Sequence, residues 1–196
     1  SLLANSHPVQ GKNGMVVTAQ ELATKVGLHI LKKGGNAIDA AVAVGFALAV
    51  TYPAAGNLGG GGYMVIRKSD GTCTTLDYRE RAPMKAFRDM YLDSAGNHQP
   101  ILSEEGVTSS GVPGSVAGLI YALEKYGTMK LSEVIQPAIN LATDGFSLSN
   151  SDARIINSNF KNWQKYESSG KIFLNNGEKY QEGEIFKQKD LGKTLG

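Results

Sequence analysis

Of all the residues in this sequence, Arg79, in the segment LDYRERAP, is the best equipped to hold a ligand. A guanidinium presents a planar fork of donors that meets a carboxylate with two parallel hydrogen bonds. Arg79 stands at the end of a β-prone run, TCTTLDYR, between Asp77 and Glu80, and the run NLGGGG lies a short distance before it. From these residues alone two readings stay open. Arg79 is a surface arginine paired with one of its acidic neighbours, or it waits for a carboxylate at a strand end that borders a glycine loop.

The remaining candidates carry less chemistry. The glycines at 59–62 could cradle phosphate through backbone N–H groups, but a phosphate loop needs Lys-Ser/Thr and a helix behind it, and here Tyr63 and a strand follow. Their other use is a close backbone approach, either to a neighbouring element or to a substrate. Cys73 is the single cysteine and has no histidine near it in sequence, so a small buried hydrophobe is its expected role. His7, His29 and His98 show no partner suited to a nucleophilic triad or a metal. Ser109 and Ser110 fit any loop built on GVPG, and Glu104–Glu105 are adjacent and point apart. The chain has no self-sufficient catalytic set.

The elements that must position Arg79 follow from periodicity. GMVVTAQ reads as a strand running into a helix, ELATKVGLHILKK, stopped by Gly34 and Gly35. Asn36 is an N-cap for AIDAAVAVGFALAV, with Asp39 at its third position, and this apolar helix is expected to be buried on most faces. YMVIRK and TCTTLDYR, joined by a turn containing Asp-Gly, read as a hairpin. Helices are expected over 115–126 and, with Ser132 as N-cap, over KLSEVIQPAINLATDGF, where Pro137 predicts a kink or break. Residues 149–170 read as a helix striped by Ile155, Ile156, Phe160 and Trp163, followed by a small β excursion in KIFLNNGEKYQEGEIF. This imperfect alternation, with an antiparallel hairpin near the front, points to a layered α+β arrangement.

The totals bound the function classes. The 196 residues are 41% hydrophobic and carry a formal net charge of +2, so the chain is globular and gives no electrostatic reason to expect nucleic acid or a membrane surface as partner. The longest apolar run is interrupted by Asp39 and is too short to span a bilayer. A start at Ser1 without methionine and a stop just after the helix-like DLGKTLG read as the ends of a fragment.

Taken together, GGNAIDAAVAVGFALAVTYPAAGNLGGGGYMVI, LDYRERAP and GVPGSVAGLIYALEKYGTMKLSEVIQPAINLATDGF closely resemble the large subunit of γ-glutamyltranspeptidases, bacterial members in particular. The likeness runs from about Gly14 to the end of the chain. It implies that residues 1–196 are the N-terminal portion of a single domain with the αββα sandwich of N-terminal-nucleophile hydrolases, completed by further polypeptide. It also implies an exported protein, periplasmic or secreted. The reaction implied is transfer of the γ-glutamyl group of glutathione, or a related donor, to water or to an amino-acid or peptide acceptor, with no cofactor and no metal. The alternatives are the same fold acting as a β-lactam side-chain acylase or a poly-γ-glutamate-processing enzyme, or a non-catalytic fragment that binds an amino acid. The partner implied is the small subunit cut from the same precursor, whose N-terminal threonine is the nucleophile. The arginine that holds the donor's α-carboxylate in the family corresponds to Arg79. The resemblance brings no catalytic residue into this chain, and Glu80, Tyr63 and Ser109 remain outside the expected site. The glycines at 59–62 are then expected to let the hairpin pack directly on the buried second helix.

Overall fold

The computed structural model describes residues 10–196, so His7 lies outside it. In chain order the elements are α1 (Glu21–Lys32), α2 (Ala37–Thr51), β1 (Tyr63–Arg67), β2 (Cys73–Asp77), α3 (Pro100–Glu104), a 3-10 turn (Val107–Ser109), α4 (Ser115–Tyr126), α5 (Leu131–Asp144), β3 (Phe146–Ser147), α6 (Asn150–Asn157), α7 (Phe160–Lys165), α8 (Glu167–Phe173), β4 (Ile185–Phe186) and α9 (Lys189–Leu195). The class is the α+β one expected. The strands form two antiparallel ribbons, β1 with β2 and β3 with β4. The chain divides into two compact units: one comprises the chain up to Gly56 with Leu123–Gly196, the other Asn57–Ala122.

The first unit is helical, with α1 on α2, α2 on α5 and α5 on α9. Its core is α2, where Val42, Ala43, Phe46, Ala47 and Val50 are excluded from solvent. The cap of α2 is the one expected: the Asn36 side-chain oxygen accepts from the N–H of Ile38 at 2.8 Å and of Asp39 at 3.0 Å, while Asp39 accepts from the Asn36 N–H at 2.7 Å. Asp39 does more than cap. Its buried carboxylate also takes the N–H of Thr128 at 2.8 Å, the Thr128 hydroxyl at 2.7 Å and the N–H of Met129 at 3.1 Å. Burial alone would push its pKa up, but the hydrogen bonds from Thr128, Met129 and Asn36 outweigh that and hold it below the ordinary value. The Asn36 amide in turn donates to the Tyr126 carbonyl at 2.7 Å. One Asn–Asp pair thereby fixes both the start of α2 and the connection from α4 to α5.

Several expectations are corrected in this unit. Residues 14–18 run without a ladder partner among the described residues, so no strand forms there. α5 starts at Leu131 with Lys130 as its cap residue, not at Ser132, and the Glu133 carboxylate closes its first turn on the Lys130 N–H at 3.3 Å. α5 also continues through Pro137 to Asp144. Val134, Ala138 and Ala142 lie on one buried stripe, and their packing outweighs the single backbone hydrogen bond that proline removes. The expected helix over 149–170 is three helices instead, separated at Asn159 (φ −102°, ψ 18°) and at Tyr166 (φ −120°, ψ 112°). Ala153 and Ile156 are the buried residues of α6, and Trp163 stacks on Phe173 at 4.6 Å.

The second unit carries the hairpin in the expected place, with Tyr63 opposite Asp77, Val65 opposite Thr75 and Arg67 opposite Cys73. Its turn uses Gly71 at φ +86°, and Asp70 accepts from the Thr72 N–H at 2.8 Å. This register puts Cys73, Thr75 and Asp77 on one face of the strand. Cys73 is therefore exposed, not the buried hydrophobe expected from its neighbours.

Candidate functional site

Arg79 follows β2 by two residues and is fixed through its backbone on both sides. Its N–H donates to the Asp77 carboxylate at 3.0 Å, and Tyr78 donates to the Gly62 carbonyl at 3.0 Å. One step further, Arg81 and Val112 exchange two backbone hydrogen bonds, at 3.0 and 2.8 Å. The Gly60 carbonyl accepts from Gly114 at 2.8 Å and from Ser115 at 2.9 Å, which ties the glycine run to the start of α4.

The need for glycine is now visible, and it is local. A Cβ on Gly61 would stand 2.6 Å from the Arg79 Cα and from the Tyr78 carbonyl oxygen. A Cβ on Gly114 would run into the same Tyr78 carbonyl, and one on Gly118 would lie within the Tyr78 ring. Gly62 would meet that ring from another side, at 3.0 Å. The nearest neighbours of Gly61 and Gly62 are thus Tyr78 and Arg79, the two residues that follow β2. Gly60 faces the Asn57 side chain, and Gly59 faces open space. Tyr78 is half-buried in this socket, and burial raises the pKa of its phenol. With the chain pinned at Tyr78, the position of the Arg79 Cα is determined.

The Arg79 side chain leaves that anchor and is exposed. Its guanidinium is turned to Tyr63: Nη1 donates to the phenol oxygen at 3.3 Å, and Cζ stands 5.8 Å from the ring centroid. A guanidinium is a permanent cation in any protein, and the Tyr63 hydroxyl first, then the carboxylates of Glu80 and Asp77, raise the pKa of Arg79 further. The carboxylate of Asp77 is engaged by the Arg79 backbone N–H. A groove of about 470 Å³ runs past this point, lined among others by Thr75, Asp77, Tyr78, Arg79, Arg81 and Tyr121. The larger cavity of about 570 Å³ in the helical unit, bordered by Met15, Val17, Leu31 and Val44, has no charged lining residue. Of these two, the groove beside Arg79 is the one that offers an anion a counter-charge.

The other sequence candidates stay apart from the arginine. The Ser109 hydroxyl donates to the Gly106 carbonyl at 2.7 Å and that of Ser110 to the same atom at 3.5 Å, so both serve the loop. His98 stands 3.4 Å from the Ser103 hydroxyl on an exposed turn, and Ser103 already donates to the Pro100 carbonyl at 2.9 Å. His29 is exposed on α1. Among the described residues no group of His, Cys, Asp and Glu could hold a metal ion. What sequence reasoning passed over is Tyr63. The signal was the hairpin register: a residue opposite Asp77 is a diagonal neighbour of Arg79.

The gamma-glutamyltranspeptidase family profile matches residues 23–196. The chain is 53% identical over 193 residues to a glutathione hydrolase proenzyme of Pseudomonas sp. (strain A14), covering 98% of this chain and 34% of that protein. It is 50% identical over 192 residues to the glutathione hydrolase proenzyme of Escherichia coli (strain K12), covering 96% of this chain and 33% of that one. The crystal structure of Helicobacter pylori gamma-glutamyltranspeptidase superposes with a TM-score of 0.92 at 50% identity, covering 96% of this chain and 54% of that chain. The chain thus spans about a third of the length of the curated relatives it matches. It belongs to the γ-glutamyltranspeptidase family.

Proposed function

We propose that residues 1–196 are the N-terminal portion of the large subunit of a γ-glutamyltransferase acting on glutathione or a related γ-glutamyl donor, and that Arg79 binds the donor's α-carboxylate. The observation that carries this reading is a permanent cation whose backbone is locked by a glycine socket while its donor fork stays exposed beside a groove. Every γ-glutamyl donor presents a free α-carboxylate. Fixing that end with two parallel hydrogen bonds sets the distance of the γ-amide from a nucleophile held elsewhere.

The nucleophile is assigned to a small subunit from the same precursor, as the proenzyme names of the relatives suggest. Its N-terminal threonine hydroxyl attacks the γ-carbonyl carbon, and the threonine α-amine takes the hydroxyl proton and passes it to the departing amine. Water or an amine acceptor then displaces the glutamyl group from the threonine oxygen. The large-subunit portion described here orients the substrate and performs no bond chemistry. Export to the periplasm or beyond the cell belongs to the same reading. No helix of the described residues is long and apolar enough to cross a membrane.

The test is Arg79→Lys in the mature enzyme. A point charge cannot reproduce a bidentate grip, so the donor KM should rise by about 30-fold. Donor kinetics equal to wild type would refute the assignment. A donor-independent fall in kcat would make Arg79 a structural residue.

A further inference from the structure

We infer that the Tyr63 hydroxyl is a second donor to the carboxylate held at Arg79, so that a phenol and a guanidinium grip the anion together. This rests on the reading of Arg79 given above. Tyr63 opens β1 opposite Asp77, and Arg79 lies two residues beyond Asp77, so both side chains emerge on the same face of the hairpin end.

Tyr63 is 63% exposed, so packing within this chain leaves its side chain accessible. Its hydroxyl has two lone pairs and one proton. The contact with Arg79 uses a lone pair, because a guanidinium has no acceptor: Nη1 donates and the phenol oxygen, 3.3 Å away, receives. Among the described residues no acceptor takes the phenol's own proton. A carboxylate seated on the guanidinium fork would therefore come within reach of an O–H donor already held at the edge of that fork. The same hydroxyl restrains the guanidinium before the anion arrives, and the ring face adds a cation–π contact with Cζ at 5.8 Å. One tyrosine thus orients the cation and completes its donor set. The expected consequence is discrimination: a carboxylate accepts from both groups, whereas a carboxamide in its place offers one acceptor and no charge.

The experiment is steady-state kinetics of the mature enzyme with γ-glutamyl-p-nitroanilide, comparing wild type with Tyr63→Phe. The phenylalanine keeps the ring and loses the donor, so KM should rise about 10-fold while kcat stays within about 2-fold. With a donor whose α-carboxylate is amidated, the rise in KM from wild type to Tyr63→Phe should be clearly smaller, because only a neutral acceptor remains. Tyr63→Leu, which loses the ring as well, should raise the KM of the carboxylate donor at least as far. An unchanged KM in Tyr63→Phe, or an equal rise with the amidated donor, overturns the inference. Arg79→Lys separates the two levels: a raised KM there beside an unchanged KM in Tyr63→Phe sinks the tyrosine alone, and an unchanged KM in Arg79→Lys sinks both.

Discussion

The helical unit and the unit formed by Asn57–Ala122 are built on different principles. Among the described residues, nearly every buried hydrophobic side chain belongs to the helical unit; the other contributes Ile66, Leu119 and Ala122. Conversely Tyr63, Val65, Met84, Phe87, Ile101 and Val107, all in the second unit, are exposed. The first unit gains its stability from helix packing and one buried carboxylate network. The second has little core of its own, and its order at Arg79 comes from backbone hydrogen bonds and glycines that admit Tyr78. Within this chain, then, the arginine proposed to bind the ligand is placed by close backbone packing at Tyr78 and not by side-chain burial.

If that contrast is right, the two units should fail differently. The largest expected effect lies in the helical unit. Asp39→Ala removes the shared acceptor of the part-buried N–H groups of Asn36, Thr128 and Met129 and should cost about 3 kcal/mol, seen as a lowered denaturation midpoint of the full-length protein. The pH dependence has a definite sign. A carboxyl whose folded pKa is depressed contributes stability above its unfolded pKa and loses it as pH falls through the folded value. The gap in midpoint between wild type and Asp39→Asn should therefore be full at neutral pH and shrink below about pH 4. A gap independent of pH would mean the carboxylate charge is not what ties the two loops.

The next effect lies in the glycine socket and sharpens the comparison. Gly61→Ala forces backbone atoms of Tyr78 and Arg79 apart and should cost about 1–3 kcal/mol, with a raised donor KM as its kinetic signature. Gly59→Ala, whose added Cβ meets open space, should change stability by less than about 0.5 kcal/mol and leave KM alone. Equal effects at the two positions would show that the run matters as flexible chain and not as a socket.

How much of this the sequence revealed differs between the units in the same way. Asn36 and Asp39 advertised the start of α2 because capping chemistry is local, and the hairpin was legible because alternation and an Asp-Gly turn are local too. Arg79 was legible as a fork of donors at a strand end. Its anchoring was not, because Gly114 and Gly118 meet Tyr78 across a separation that no periodicity encodes. The same limit explains the second role of Asp39, whose partners Thr128 and Met129 lie 89 and 90 residues away. Pro137 misled for another reason: a strong local breaker was overridden by the buried stripe of Val134, Ala138 and Ala142. Cys73 misled because hydrophobicity alone does not say which face of a two-residue period is covered.

The central claim is that the guanidinium of Arg79 holds the acid end of a γ-glutamyl donor. The most direct measurement is a crystal structure of the mature enzyme with glutamate bound. Both α-carboxylate oxygens are expected within about 3 Å of guanidinium nitrogens of Arg79. A bound glutamate whose α-carboxylate is held by other groups, with Arg79 turned into solvent, would contradict it.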